Sequence, residues 1–214
     1  MAAVAKGKNR GEEIDMLMNY LKGGGGIAIE IEKRLSELPE TYSVLLETDR
    51  ENHELVVQNL VKIFQKENTA GIFVTVNKSA EDLLKIMKET GAKTENISIV
   101  DVVSKKQSTP STTSKGVTCV DSPQDLNEIE AQVTDFAEAM EKAKKFFVLD
   151  SVSTLLIYNA EKNVEKFVHG LGERLRSMEF KAVFMIMKET KPEVLSVLSQ
   201  FADKVIKTTP KIKP

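Results

Sequence analysis

Six short apolar runs, separated by stretches of helical periodicity, constrain this chain more than any other feature. They are YSVLLE (42–47), GIFVTV (71–76), ISIVDV (97–102), KFFVLD (145–150), KAVFMIM (181–187) and DKVIK (203–207). Between the first two, Leu55, Val56, Val57, Leu60, Val61, Ile63 and Phe64 make a helix over 51–66 that is apolar around much of its circumference, as expected beside a central strand. Strands that alternate with helices form a parallel sheet covered on both faces, and strands buried on both faces read as continuous apolar runs. The strength of these runs excludes an exposed antiparallel sheet, which would alternate polar and apolar residues. The expected fold is therefore α/β, three layers α/β/α around a mostly parallel central sheet.

Cap and stop signals place the remaining helices. Ser79 with Asp82 three residues on resembles a capping box for a helix over 80–90, and Gly91 is placed as its C-terminal stop. Ser122 as cap and Pro123 at the first helical position open a helix whose seam is Leu126, Ile129, Val133, Phe136 and Met140. A helix over 160–178 turns Val164, Phe167, Val168, Leu171, Leu175 and Met178 inward, and Thr190 and Glu193 open a short one before the last strand.

Ahead of the α/β region, residues 1–38 read as an N-terminal helical extension. Ile14, Leu17, Met18 and Leu21 form one stripe of a short helix, and the glycines at 23–26 tether it to a second helix over Ile27–Leu38 that ends at Pro39. The main domain spans 39–214. Within it SKKQSTPSTTSKG (104–116) is polar and aperiodic, and reads as a mobile loop, either simply solvated or a site of modification.

Composition narrows the partners. Thirty basic and thirty-two acidic residues leave a net charge of −2, so no global positive field points to nucleic acid or an anionic membrane. A single cysteine, Cys119, cannot form an internal disulfide. The N-terminus lacks the apolar region of a signal peptide, and no run approaches the roughly 18 apolar residues of a membrane-spanning helix. The expected location is cytoplasmic, with no transmembrane segment.

Ligands of open parallel sheets collect at the carboxyl ends of the strands. After the first strand the sequence is ETDRENHE, with Asp49, Arg50 and His53 but no glycine loop whose N–H groups could curl around a phosphate. The second strand ends in Asn77 and Lys78, where a hydrolase would use a carboxylate to orient water; Asn77 cannot take a proton and Lys78 has the wrong charge. The run KKFFVLD ends in Asp150, which reads either as a Mg²⁺-holding Walker B residue or as an acceptor of backbone N–H groups in the next turn. Neither histidine, His53 or His169, has a partner in sequence that would mark a metal site, and no metal is assigned.

The segments AGIFVTVNKSAEDLLKIMKETG, VDSPQDLNEI and KKFFVLDSVSTLLIYNAEKNVEKFVHGLGERLRS together resemble the KaiC-like, or RAD55-like, branch of the RecA superfamily of archaeal ATPases, over residues 40–207. The resemblance implies a RecA-like fold, an archaeal source and side-by-side assembly. In active relatives a Walker A loop follows the strand matching 42–47 and glutamates end the strand matching 71–76. Here only Asp150 matches, so the similarity is to degenerate members that have lost the phosphate loop. It implies a vestigial nucleotide cleft of Asp49, Arg50, His53, Asn77, Lys78 and Asp150, with no catalytic residue and no tight binding of ATP or Mg²⁺.

The function expected on this basis is a pseudo-ATPase regulatory or scaffold module acting through a protein partner or self-association. The stripe Ile14, Leu17, Met18 and Leu21 is its candidate docking helix, or else packs on the domain itself. One alternative is a residual nucleotide-binding protein or signalling ATPase using Asp150. Another is a nucleic-acid-binding paralogue, supported by Lys105, Lys106 and Lys115 but lacking aromatic residues for stacking.

Overall fold

The computed structural model describes residues 25–66, 69–104, 116–141 and 144–208. In chain order the elements are α1 (Gly26–Ser36), β1 (Tyr42–Thr48), α2 (His53–Lys66), β2 (Ala70–Thr75), α3 (Ala80–Glu89), β3 (Ile97–Asp101), β4 (Val117–Cys119), α4 (Leu126–Glu138), β5 (Lys145–Asp150), α5 (Val152–Tyr158), α6 (Glu161–Ser177), β6 (Phe180–Met187), α7 (Pro192–Ser199) and β7 (Lys204–Lys207). The strands form one sheet in the order β4-β3-β2-β5-β6-β1-β7, and every pairing is parallel. The stripe at 14–21 and the loop at 105–115 lie outside the described residues.

Period-two alternation along the strands divides the core into two layers. Tyr42, Val44, Leu46, Phe73, Phe146, Val148, Val183 and Met185 face one side, where α1, α2 and α3 supply Ile31, Leu35, Val56, Leu60, Phe64, Leu83 and Met87. Leu45, Ile72, Val74, Phe147, Leu149, Ala182 and Phe184 face the other, under α4 to α7 with Ile129, Val133, Leu155, Phe167, Leu171 and Leu198. Both faces are thus covered, which is why the runs are apolar at every position rather than at alternate ones. Tight packing across strands appears where Gly71 pairs with Phe146, whose ring lies over the glycine and stacks on Phe64 with centroids 4.5 Å apart.

The helix ends follow their local chemistry. Ser79 accepts the Asp82 N–H at 3.2 Å and its hydroxyl donates to the Asp82 carboxylate at 2.8 Å. At the other end of α3, Gly91 takes φ +76°, its N–H donates to Lys88 O, and the Ala92 N–H donates to Met87 O. That pattern is a Schellman motif, and a left-handed residue is what glycine supplies at low cost.

Two expected caps are corrected. Helix α4 starts at Leu126 with Asp125 as its cap, accepting the Glu128 N–H at 3.0 Å, while Ser122 and Pro123 lie in a preceding turn. The Ser122 hydroxyl instead accepts the Gln124 N–H at 3.2 Å and its carbonyl accepts the Asp125 N–H at 3.1 Å, which closes that turn and leaves Asp125 to cap the helix. Helix α7 opens at Pro192 without a side-chain cap, since the Thr190 hydroxyl is engaged with Ser153 Oγ at 2.9 Å. Two elements were not expected: the three-residue strand β4, and α5, which carries the chain from β5 across the carboxyl edge of the sheet.

Candidate functional site

At the carboxyl ends of β2 and β5, three of the six predicted cleft residues, His53, Asn77 and Asp150, contact one another. Asp150, the last residue of β5, is 3% exposed in its side chain, and its Oδ1 accepts from His53 Nε2 at 2.6 Å and from Asn77 Nδ2 at 2.8 Å. These partners are side chains from α2 and the β2–α3 turn, not the following backbone turn that the sequence allowed as an alternative. Asn77 Oδ1 in turn accepts from the Thr154 hydroxyl, which also contacts Ser151 Oγ. The result is a chain of hydrogen bonds tying the first turn of α2 to the tops of β2 and β5 and to α5.

Asp49 opens the turn that leads into α2. The connection from β1 to α2 is four residues, Asp49 to Asn52, without a glycine. Asp49 is buried; its carboxylate accepts the Asn52 N–H at 2.9 Å and the Asn52 side-chain amide at 3.0 Å, with Lys188 Nζ at 3.5 Å. Burial pushes the carboxyl up, but the two Asn52 bonds and the Lys188 ammonium outweigh it and hold the group below the ordinary aspartate value. A carboxyl with a depressed folded pKa contributes stability above its unfolded value and loses that contribution as pH falls through the folded one. Acid unfolding followed by circular dichroism is therefore expected to start at a lower pH in the parent than in a Lys188→Met variant. Coincident acid transitions would show that Lys188 does not hold the carboxylate.

The other predicted residues complete the picture. Lys78 Nζ pairs with Glu54 at 2.9 Å, and Arg50 is exposed to solvent. Sequence reasoning gave no weight to a third strand-end carboxylate, Asp101 of β3, which is 2% exposed. Its Oδ2 accepts the Ala80 N–H at 2.7 Å, and its Oδ1 accepts the Val103 and Ser104 N–H groups, both at 2.8 Å. The signal was available, because an aspartate ending a buried strand must find donors. Its role is to clamp the start of α3 to the end of β3.

Among the described residues no group of three histidine, cysteine, aspartate or glutamate side chains stands close enough to hold a metal ion. None of the described helices is long and apolar enough to cross a membrane. His169 is exposed and stacks on Phe201 with centroids 4.4 Å apart, away from the cleft.

With this geometry in hand, the family of unknown function DUF7504 matches residues 42–208, most of the chain. The chain belongs to this family. No curated protein matches it. Among solved structures it is similar to a KaiC-like protein from the hyperthermophilic archaeon Pyrococcus horikoshii, with TM-score 0.57 and 18% identity over 79% of this chain and 72% of that one. A second Pyrococcus horikoshii protein gives TM-score 0.57 and 11% identity over 84% of this chain and 88% of the other. At these identities the likeness is one of fold, and the α/β architecture of this DUF7504 member is RecA-like, as the sequence resemblance implied.

Proposed function

We propose that the chain is a non-catalytic RecA-like module that works through protein contacts, with a nucleotide cleft that no longer takes ATP and Mg²⁺. The observation that carries this reading is the β1–α2 connection, where a phosphate-binding loop would present its backbone N–H groups. The Asn52 N–H there is given to the chain's own Asp49 carboxylate. The neighbouring ammonium groups are also engaged, Lys188 by Asp49 and Lys78 by Glu54.

Asp150, the residue in the Walker B position, spends Oδ1 on His53 and Asn77. Each charge-assisted hydrogen bond withheld from a polyphosphate is worth about 1.5–3 kcal/mol, and about 1.4 kcal/mol is a tenfold change in affinity. Three such losses remove the affinity on which a nucleotide site depends. At the place of a water-activating carboxylate stands the amide of Asn77, bound on one side to Asp150 and on the other to Thr154. This supports a retained fold whose surfaces, rather than its cleft, are used.

Thermal unfolding with millimolar ATP and Mg²⁺ tests the reading. The expected result is an unchanged Tm and no phosphate release. A ligand present at about 100 times its Kd would stabilise by about 2.7 kcal/mol, a rise of roughly 5–10 °C for a chain of this size. Such a rise, abolished by Asp150→Ala, would establish the residual nucleotide-binding protein instead.

A further inference from the structure

An apolar groove opens on the carboxyl edge, next to the cleft but outside its hydrogen-bond chain. It has a volume of about 320 Å³ and lies between α5 and the start of α7, with Leu156, Ile157, Met187 and Val194 as its apolar lining. Ile157 is 75% exposed and its chain neighbour Tyr158 48% exposed, two of the four large apolar side chains left exposed among the described residues. An isolated apolar side chain on a surface is ordinary. One at the mouth of an apolar cavity, with a second beside it in the chain, marks a contact surface.

The charges around the groove decide which partner fits. Glu161 and Glu189 stand in its lining, and Glu193 is close enough to help raise the pKa of Lys191. Lys191, the cation among the described lining residues, is paired with Glu161. Lys188, next to Glu189 in the chain, is drawn to Asp49 at 3.5 Å. Glu161 and Lys191 neutralise each other, which leaves Glu189 and Glu193 as the excess charge. The groove is thus apolar within and negative at its rim.

We propose that this groove docks a protein partner through a segment that carries an aliphatic side chain between lysines or arginines. The aliphatic group enters between α5 and α7, and the flanking cations meet Glu189 and Glu193. The groove's role rests on the non-catalytic reading above, to which it adds a surface and a partner chemistry. Sign rejects the competing classes. The phosphates of a nucleic acid or an anionic membrane would meet carboxylates, and two copies set groove to groove across a twofold axis would bring the same acidic rim against itself. In such a contact the buried apolar anchor supplies most of the affinity, while the rim charges select the partner and speed its arrival.

Methyl NMR on the full chain, titrated at low salt with the capped peptide Gly-Lys-Lys-Leu-Lys-Lys-Gly, tests this. Saturable shifts are expected at the methyls of Leu156, Ile157 and Val194, with those of the α1–α3 layer unmoved. A peptide with serine in place of the leucine, or glutamates in place of the lysines, should leave the groove methyls where they are. Ile157→Asp and the double reversal E189K/E193K, both at positions that face solvent, are each expected to weaken binding about tenfold or more. The α1–α3 methyls report in each variant that the fold is intact. Unmoved groove methyls in the parent, an equal response to the serine peptide, or undiminished binding in either variant would overturn the proposal. So would groove shifts on concentrating the protein alone, since these would place a second copy there. The non-catalytic reading fails by a different sign, the Tm rise with ATP and Mg²⁺, so the two can fall separately.

Discussion

Gly71→Ala is expected to cost about 3 kcal/mol of stability, read as a lowered midpoint in urea denaturation. A β-carbon at position 71 would come within 2.0 Å of Phe146 Cζ and 2.1 Å of Cε1. In an open site the ring would swing aside. Here it is fully buried and lies face to face with Phe64, also fully buried, the two planes 6° apart. Moving one ring therefore moves the other, and with it the packing of α2 on the sheet. The cost should fall when the ring is removed in the same molecule. Gly71→Ala combined with Phe146→Leu is expected to be more stable than the two single losses added together, by about 1–3 kcal/mol of coupling. Strict additivity, or a Gly71→Ala midpoint equal to the parent's, would show that the ring does not lie over this glycine.

The second large effect belongs to Asp101. Replacing it by alanine removes one carboxylate that serves three backbone N–H groups, on Ala80, Val103 and Ser104. Donors left without an acceptor cost about 1–3 kcal/mol each where water cannot reach them, so Asp101→Ala is expected to lose about 3–5 kcal/mol. Asp101→Asn keeps one acceptor oxygen and should fall between the variant and the parent. Amide hydrogen exchange gives the local signature: protection at Ala80, Val103 and Ser104 should drop before the rest of the sheet opens. An alanine variant that unfolds with the parent would mean that these N–H groups find other acceptors.

The sheet was legible because each strand is apolar at consecutive positions while each long helix keeps a repeat of three and four. These are two different periods, and they do not compete in segments as long as α2 or α6. Brevity defeated the same reasoning elsewhere. Strand β4 is three residues, VTC, too few to display a period, and it is held by pairing to Ile99, Val100 and Asp101, partners remote in the chain. Helix α5, VSTLLIY, is rich in β-branched residues and follows a strand directly, so local preference speaks for extension. Burial of Val152 and Leu155 in the layer beneath α6 overrides that preference.

The site was legible as a set of positions, since strand ends can be read from the same pattern, but not as a set of bonds. His53 and Asp150 are 97 residues apart, and nothing in either neighbourhood states that one ring nitrogen will meet one carboxylate oxygen at 2.6 Å. Only the topology brings the first turn of α2, and with it His53, beside the end of β5.

Helix α1 carries a practical implication for anyone trimming this molecule. The stretch that matches the family begins at residue 42, whereas Ile27, Ile31 and Leu35 are interior residues against α2. A fragment started at the block boundary would bare an oily strip along α2, inviting clumping that could be mistaken for genuine assembly. The smallest portion suitable for weighing in solution thus begins ahead of Gly26, some sixteen residues upstream of the match.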